Sequence, residues 1–276
     1  MNIGIAGLGL IGGSLAKAIR CNTDNTVWGC DIKDSVVLKA QVMEAIDAEL
    51  TDELLPQCDV TIVALYPADT MEYIERHKSM FKKGSIVTDC CGVKVSICDP
   101  LFDTARQNGF CFVGAHPMAG REFSGFEHSQ SSLFDNASMI IVPGADADME
   151  KLHFLKDMFM QIGFSRIQVS TPEEHDKIIA CTSQLAHVVS SAYVKSSTAH
   201  KYKGFSAGSF ADMTRVAKMN EAMWTELFMD NSENLIEEID ELIGRLNAYG
   251  AVLRDGDKDG LYALLEEGTR IKKSLE

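Results

Sequence analysis

The chain has 276 residues, enough to bury about three quarters of its unfolded surface in one large domain or two modest ones. With 26 basic against 40 acidic residues its net charge is −14, which argues against nucleic acid or an anionic membrane as the main partner and demands a locally placed cation for any anionic substrate. No apolar run reaches the roughly 18 residues of a membrane span, and the first residues lead straight into a strand with no secretory leader, so a cytoplasmic location is expected.

The first 31 residues organise the rest of the chain. Residues 2–6 form an apolar run, Gly7-Leu8-Gly9-Leu10-Ile11-Gly12 comes at once, and apolar residues at Ile11, Leu15 and Ile19 continue at helical spacing. A second strand over 27–30 ends in Asp31, which stands 19 residues after Gly12. Strand, glycine turn, helix, strand and acid in this order are a dinucleotide-binding arrangement. Gly7 permits the sharp turn, Gly9 lets backbone approach a pyrophosphate, and Gly12 lets the helix sit close on the strand. No acid follows through Ser14, so the free N–H groups at the helix start, those of Leu10 and Ile11 among them, are available to an anion. Asp31 would accept hydrogen bonds from the adenosine ribose hydroxyls and repel a phosphate there, which predicts NAD rather than NADP. The expected cofactor contacts are Gly7, Gly9, Leu10, Ile11, Gly12, Asp31 and, at the end of a later strand, Leu65.

Further strands are predicted at 59–65, closed by Tyr66-Pro67, and at 85–90, 111–115, 139–142 and 166–170. Near-continuous apolar strands alternating with helices indicate a mostly parallel, doubly covered sheet of Rossmann type. One connecting helix carries Leu152, Leu155, Phe159 and Ile162, with Gly163 placed for a left-handed cap. The eight cysteines show no CxxC spacing, and several lie in these apolar runs. Reduced core thiols are expected and no metal site; a redox-active pair at the neighbours Cys90 and Cys91 is the lesser alternative.

The pattern changes at Ser170-Thr171-Pro172-Glu173-Glu174, where Thr171 can cap a helix, Pro172 suits its first turn and Glu174 completes a capping box. Beyond it no strand pattern occurs. A helix is predicted over 172–197, a shorter segment over 208–218, a long helix over 221–249 and a last one after Asp255-Gly256-Asp257. Domains are therefore expected at 1–170, binding the dinucleotide, and 171–276, an all-α domain for substrate and dimerisation. In the long helix Phe228, Leu235, Ile239, Leu242 and Leu246 form a stripe that suits either an ordinary core face or a homodimer seam, and a dimer through these helices is the preferred reading.

Two polar stretches leave strands at the edge where ligands bind in such sheets. One is Thr88-Asp89-Cys90-Cys91-Gly92-Val93-Lys94; the other is His116-Pro117-Met118-Ala119-Gly120-Arg121-Glu122-Phe123-Ser124-Gly125-Phe126-Glu127. His116, directly after its strand, would face the cofactor cleft, where a near-neutral pKa suits proton transfer.

Together with the fingerprint, the Thr-Asp-x-x-x-x-Lys turn and the His-Pro-Met-Ala-Gly-x-Glu-x-x-Gly stretch resemble the prephenate and arogenate dehydrogenases of tyrosine biosynthesis. In the second half, Ser183-Gln184-Leu185-Ala186-His187 resembles that family's histidine-bearing helix, and Phe210-Ala211-Asp212-Met213-Thr214-Arg215 followed by Trp224 its substrate-arginine segment. The resemblance implies an NAD-dependent oxidative decarboxylation of prephenate to 4-hydroxyphenylpyruvate, with His116 taking the proton of the ring hydroxyl. It implies that Arg215 clamps a substrate carboxylate, His187 contacts the side-chain end, Trp224 walls the pocket and Glu122 joins the polar network at its mouth. Lys94 matches the turn motif and either touches ligand or fixes the loop; it is counted with the substrate contacts. Arogenate dehydrogenase is the alternative, and a silent NAD-binding regulator the reading from another class.

A β-hydroxyacid dehydrogenase would place a catalytic lysine after a glycine-rich helix segment, yet residues 182–191 hold no glycine. Two departures from the family pattern matter. Gly92 stands where many members carry a serine that orients the catalytic histidine, so either another donor such as Cys91, Thr88 or water does that work or the histidine is held more loosely. Gln184-Leu185-Ala186-His187 replaces His-Leu-Pro-His. After the helical domain no room remains for the regulatory or chorismate mutase domains of some relatives, so any tyrosine feedback is expected at the active site.

Overall fold

A computed structural model describes residues 1–276 except Arg121, Glu122, Asp146, Ala207 and Glu276. The first part is built on β1 (Asn2–Ala6), α1 (Leu10–Asn22), β2 (Thr26–Cys30), α2 (Asp34–Val42), β3 (Ala48–Glu49), β4 (Val60–Val63), α3 (Pro67–His77), β5 (Ile86–Asp89), α4 (Val95–Asn108), β6 (Cys111–Pro117), β7 (Ser138–Pro143), α5 (Met149–Gln161) and β8 (Arg166–Val169). The strands form one sheet in the order β3-β2-β1-β4-β5-β6-β7-β8, parallel throughout except for the antiparallel pair β6 and β7. The expected α/β class holds.

Alternation along the strands explains the layers. Ile3 and Ile5 of β1, Ile62 of β4 and Val113 of β6 pack with α1, α2 and α5 on one face. Ala6, Val63, Val87 and Phe112 pack with Ile74 of α3 and Ile97 and Leu101 of α4 on the other. Because both faces are covered, the strands read as apolar runs. The two-residue β3, absent from the reading of the sequence, pairs only with Trp28 and Gly29 of β2 and is too short to leave a periodic signal.

The second part is helical: α6 (Pro172–Ile179), a π-turn (Ala180–Gln184), α7 (Leu185–Val194), α8 (Ser209–Thr214), α9 (Glu221–Asp230), α10 (Ser232–Asp255) and α11 (Lys258–Ser274). Thr171 caps α6 by accepting the Glu174 N–H at 3.2 Å. The other half of the expected capping box is not made, since the Glu174 carboxylate takes the Ser170 hydroxyl at 3.0 Å instead.

Two helices differ from expectation. That over 172–197 contains the π-turn and stops at Val194, and that over 221–249 is broken at Asn231 and then runs on to Asp255. The break has a polar cause: the buried Asn231 amide donates to the Asp176 carbonyl and to Gln184 Oε1, each at 2.8 Å. Gln184 Nε2 in turn donates to the Leu227 carbonyl, which the break leaves without its helical partner.

Candidate active site

The parallel strands β1, β4 and β5 end at one edge, and the order reverses between β1 and β4, where such sheets open a crevice. Gly7 turns the chain there with φ +87°, and a Cβ on it would strike the Ala64 carbonyl and the Leu65 side chain. A Cβ on Gly9 would meet nothing within 4 Å, so backbone there is open to a ligand, whereas one on Gly12 would fall on the Gly7 carbonyl oxygen. No side chain caps α1, no acid lies in its first turn, and the Gly9 carbonyl is first reached by the Gly13 N–H. The N–H groups of Leu10 and Ile11 thus face the crevice mouth with the positive end of the helix dipole behind them, a cradle that fits a pyrophosphate.

Asp31 ends β2 beside this turn, its carboxylate fixed by the Leu8 and Lys33 N–H groups, each at 3.0 Å. Gly12→Ala is expected to cost about 1–3 kcal/mol by overpacking α1 against the turn and to weaken dinucleotide binding. Urea unfolding and a cofactor titration check the two effects.

His116 sits near the end of β6, partly open to the crevice. Its Nδ1 lies 2.9 Å from His175 Nε2, and His175 Nδ1 lies 2.7 Å from Asp176 Oδ1. The Asp176 carboxylate also accepts the N–H groups of Lys94 at 2.7 Å and Val95 at 2.9 Å, at the start of α4. His175 and Asp176 are buried. Burial, with His175 and the Lys94 cation nearby, holds the His116 pKa well below the ordinary histidine value, so the ring is a neutral base at working pH.

This arrangement corrects the expectation about what orients His116. The Cys91 N–H is spent on Asp89, its thiol faces Leu65 O and Thr70 Oγ1, and buried Thr88 Oγ1 has no partner among the described residues. Neither residue reaches His116. A Cβ on Gly92 would lie 3.8 Å from His116 Nε2, which places that nitrogen on the side where the family serine is expected. The His175–Asp176 pair escaped the sequence reading because it comes from the other half of the chain. Its one signal was a His-Asp dipeptide in the first turn of a capped helix at the domain junction.

Lys94 is a second correction: it is 0 % exposed and its ammonium pairs with Asp89, so it is no substrate contact. Burial alone would lower its pKa, but the Asp89 carboxylate holds it above the ordinary lysine value. Asp89 also accepts the Ala115 N–H at 2.9 Å and the Cys91 N–H at 2.8 Å, tying the β5–α4 turn to the strand that carries His116.

From the helical part, α9 closes over this turn. Leu227 Cδ2 would be 3.4 Å from a Cβ on Gly92, and Trp224, one turn earlier, lies against His187 with centroids 3.8 Å apart and the rings tilted by 30°. His187 Nδ1 is 2.9 Å from the Ser183 carbonyl, which leaves Nε2 as its acceptor. Burial and the nearby Arg215 lower the His187 pKa. Arg215 is exposed, and no carboxylate among the described residues pairs with it. The departure at Gln184 does not touch the pocket, since that side chain is buried in the Leu227 and Asn231 network. Glu122 lies outside the described residues.

The cleft is held by Glu226 accepting the Ala68 N–H at 2.5 Å and by the Asn220 amide donating to Tyr66 OH at 3.3 Å. Among the described residues no cluster of three or more histidine, cysteine or acidic side chains is arranged for a metal, and no helix is long and apolar enough to cross a membrane.

The chain is similar to known proteins over nearly its whole length. Residues 15–168 match the family model "Prephenate dehydrogenase, nucleotide-binding domain", and residues 171–267 match "Prephenate dehydrogenase, dimerization domain". A prephenate dehydrogenase of Bacillus subtilis is 30% identical over 281 residues, covering 98% of this chain and 75% of its own length. A cyclohexadienyl dehydrogenase of Zymomonas mobilis is 28% identical, covering 100% of this chain and 96% of its own. Among solved structures, prephenate dehydrogenase from A. aeolicus in complex with hydroxyphenyl propionate and NAD+ superimposes with a TM-score of 0.88 at 27% identity, covering 100% of this chain and 98% of that one.

Proposed function

The chain belongs to the prephenate dehydrogenase family, and from that premise we propose that it is an NAD-dependent oxidoreductase converting prephenate to 4-hydroxyphenylpyruvate with loss of carbon dioxide. The observation that carries the reading is His116: a neutral base on the crevice edge with Nε2 free toward Gly92 and Nδ1 occupied. NAD is supported by the fit of the glycine turn and Asp31, and by the NAD+ bound in the A. aeolicus relative. When bound, NAD supplies the hydride acceptor for the ring carbon bearing the hydroxyl. His116 Nε2 takes the hydroxyl proton, the electron pair of the breaking ring–carboxylate bond completes the aromatic ring, and carbon dioxide leaves.

Gly7, Gly9, Leu10, Ile11 and Gly12 would cradle the pyrophosphate, Asp31 the adenosine ribose, and Leu65 the wall between them and the reacting ring. Arg215, a cation with no carboxylate partner among the described residues of a chain of net charge −14, would clamp a substrate carboxylate through its planar fork. His187 would meet the side-chain end of the substrate, Trp224 would wall the pocket and Glu122 would join the network at its mouth.

Arg215→Ala is expected to raise the prephenate KM by roughly 10- to 150-fold, the loss of about 1.5–3 kcal/mol for a charged hydrogen bond, with a smaller change in kcat. An unchanged KM would count against the clamp.

The alternative substrate, arogenate, bears an amino group in place of the keto group, and a cyclohexadienyl dehydrogenase is among the relatives. Steady-state turnover with prephenate and with arogenate, NAD and NADP each supplied, decides between them: the reading expects prephenate with NAD. Failure of both acids while NAD still binds would return the chain to a silent regulator.

The proposed boundary lies between residues 170 and 171, in keeping with the two matched segments. A homodimer through the second part is supported by the exposed residues Ile236, Ile243, Leu246 and Leu253, which repeat along α10, and by Tyr262 and Leu265 of α11.

A further inference from the structure

We propose that His175 is the positioning residue of this site: it holds His116 in the tautomer that leaves Nε2 bare toward the crevice and, with Asp176, takes up the proton that His116 accepts. The inference rests on the reading of His116 as the base.

The network fixes the tautomers in sequence. Asp176 Oδ1 and Oδ2 already accept the Lys94 and Val95 N–H groups at the start of α4, so both oxygens serve as acceptors. An ionised carboxylate only accepts, so His175 Nδ1, at 2.7 Å, carries a proton. Neutral His175 then has its lone pair on Nε2, and His116 Nδ1, at 2.9 Å, must be the donor. That leaves the His116 lone pair on Nε2, beside Gly92 and away from His175. Gly92 has no hydroxyl to hold that nitrogen from the other side, so the orienting falls to His175.

The same chain disposes of the proton. The substrate O–H bond breaks as an N–H bond forms at His116 Nε2; the Nδ1 proton passes to His175 Nε2, and the electron pair of the His116 N–H bond stays on Nδ1. His175 then carries both protons, its positive charge facing the Asp176 carboxylate. Nothing is oxidised or reduced in this transfer. Asp176 faces the pair from α6, while from β5 and the start of α4 Asp89 and Lys94 act on His175 in opposite senses, the carboxylate raising its pKa and the cation lowering it. Because His116 stands on β6 and His175 on α6, the relay exists only when the two parts of the chain are docked.

Two variants separate this role from a structural one. In His175→Gln the amide can still accept from His116 and donate to Asp176 but cannot hold a proton. It is expected to keep NAD affinity and prephenate KM and to lower kcat by roughly 10- to 100-fold, the range for losing a histidine's outer partner. The acid limb of the kcat profile should move, because the two imidazoles no longer titrate as a pair and the accepted proton has only His116 to bind. A kcat and limb both unchanged, or a limb that stays while kcat falls, overturns the proposal.

In His175→Phe, 15N NMR of the His116 ring in the protein without ligands should show protonation moving from Nδ1 toward Nε2. The wild-type pattern retained there would also overturn it. Should His175→Phe not fold, the glutamine variant decides alone. Turnover persisting in His116→Asn would instead remove the base reading, whatever His175→Gln does.

Discussion

His116→Asn is expected to lower kcat by roughly two to four orders of magnitude, the usual contribution of a positioned general base, while NAD affinity and unfolding midpoint stay near wild type. The amide is similar in size and can still bond to His175 Nε2 across the 2.9 Å contact, so the local packing has no reason to fail. What is lost is the basic nitrogen on the Gly92 side. The bonds that hold the crevice in shape do not involve the imidazole, since Asp89 ties the β5–α4 turn to β6 through the Ala115 N–H and the Cys91 N–H. A stopped-flow measurement of the chemical step beside a cofactor titration checks both halves. Near-wild-type turnover would remove His116 from the mechanism.

The second large effect belongs to stability. Lys94→Met is expected to destabilise the fold by about 3–5 kcal/mol, the cost of leaving one member of a buried ion pair without the other. Both side chains of the Lys94–Asp89 pair are 0 % exposed, so water cannot replace the ammonium. Adding Asp89→Asn should recover part of the loss, because the amide oxygen can still accept one of the two N–H bonds and no charge remains. Urea unfolding of the single and double variants measures this. A Lys94→Met protein of normal stability with a raised KM would restore the residue to the substrate contacts.

Much of the first part was legible because its signals are local. The glycine turn, the alternation that buries Ile3 and Ile5 on one face and Ala6 on the other, and Asp31 at the end of β2 all lie within one βαβ unit. The place of His116 near the end of β6 was legible for the same reason, since an apolar strand leads directly into it; its role came only from the resemblance. The misses are contacts between distant segments. Asn231 breaks a helix whose apolar spacing runs straight through it, because its amide is needed by Asp176 and Gln184, and no periodicity records that. Lys94 counts with the ligand contacts in the sequence for want of its partner: nothing there pairs it with Asp89, five residues earlier, in a turn that α9 covers. His175 and Asp176 carried no signal of their own in the sequence beyond standing together in the first turn of a capped helix, and only the docking of α6 on α4 brings them to the site.

The most direct test of the account is the ratio of carbon dioxide released to NADH formed when purified protein turns over prephenate with NAD. One carbon dioxide for every NADH, with 4-hydroxyphenylpyruvate as the product, is the result predicted for hydride loss and decarboxylation at one site. NADH formed without carbon dioxide, or no NADH from prephenate at all, would contradict it.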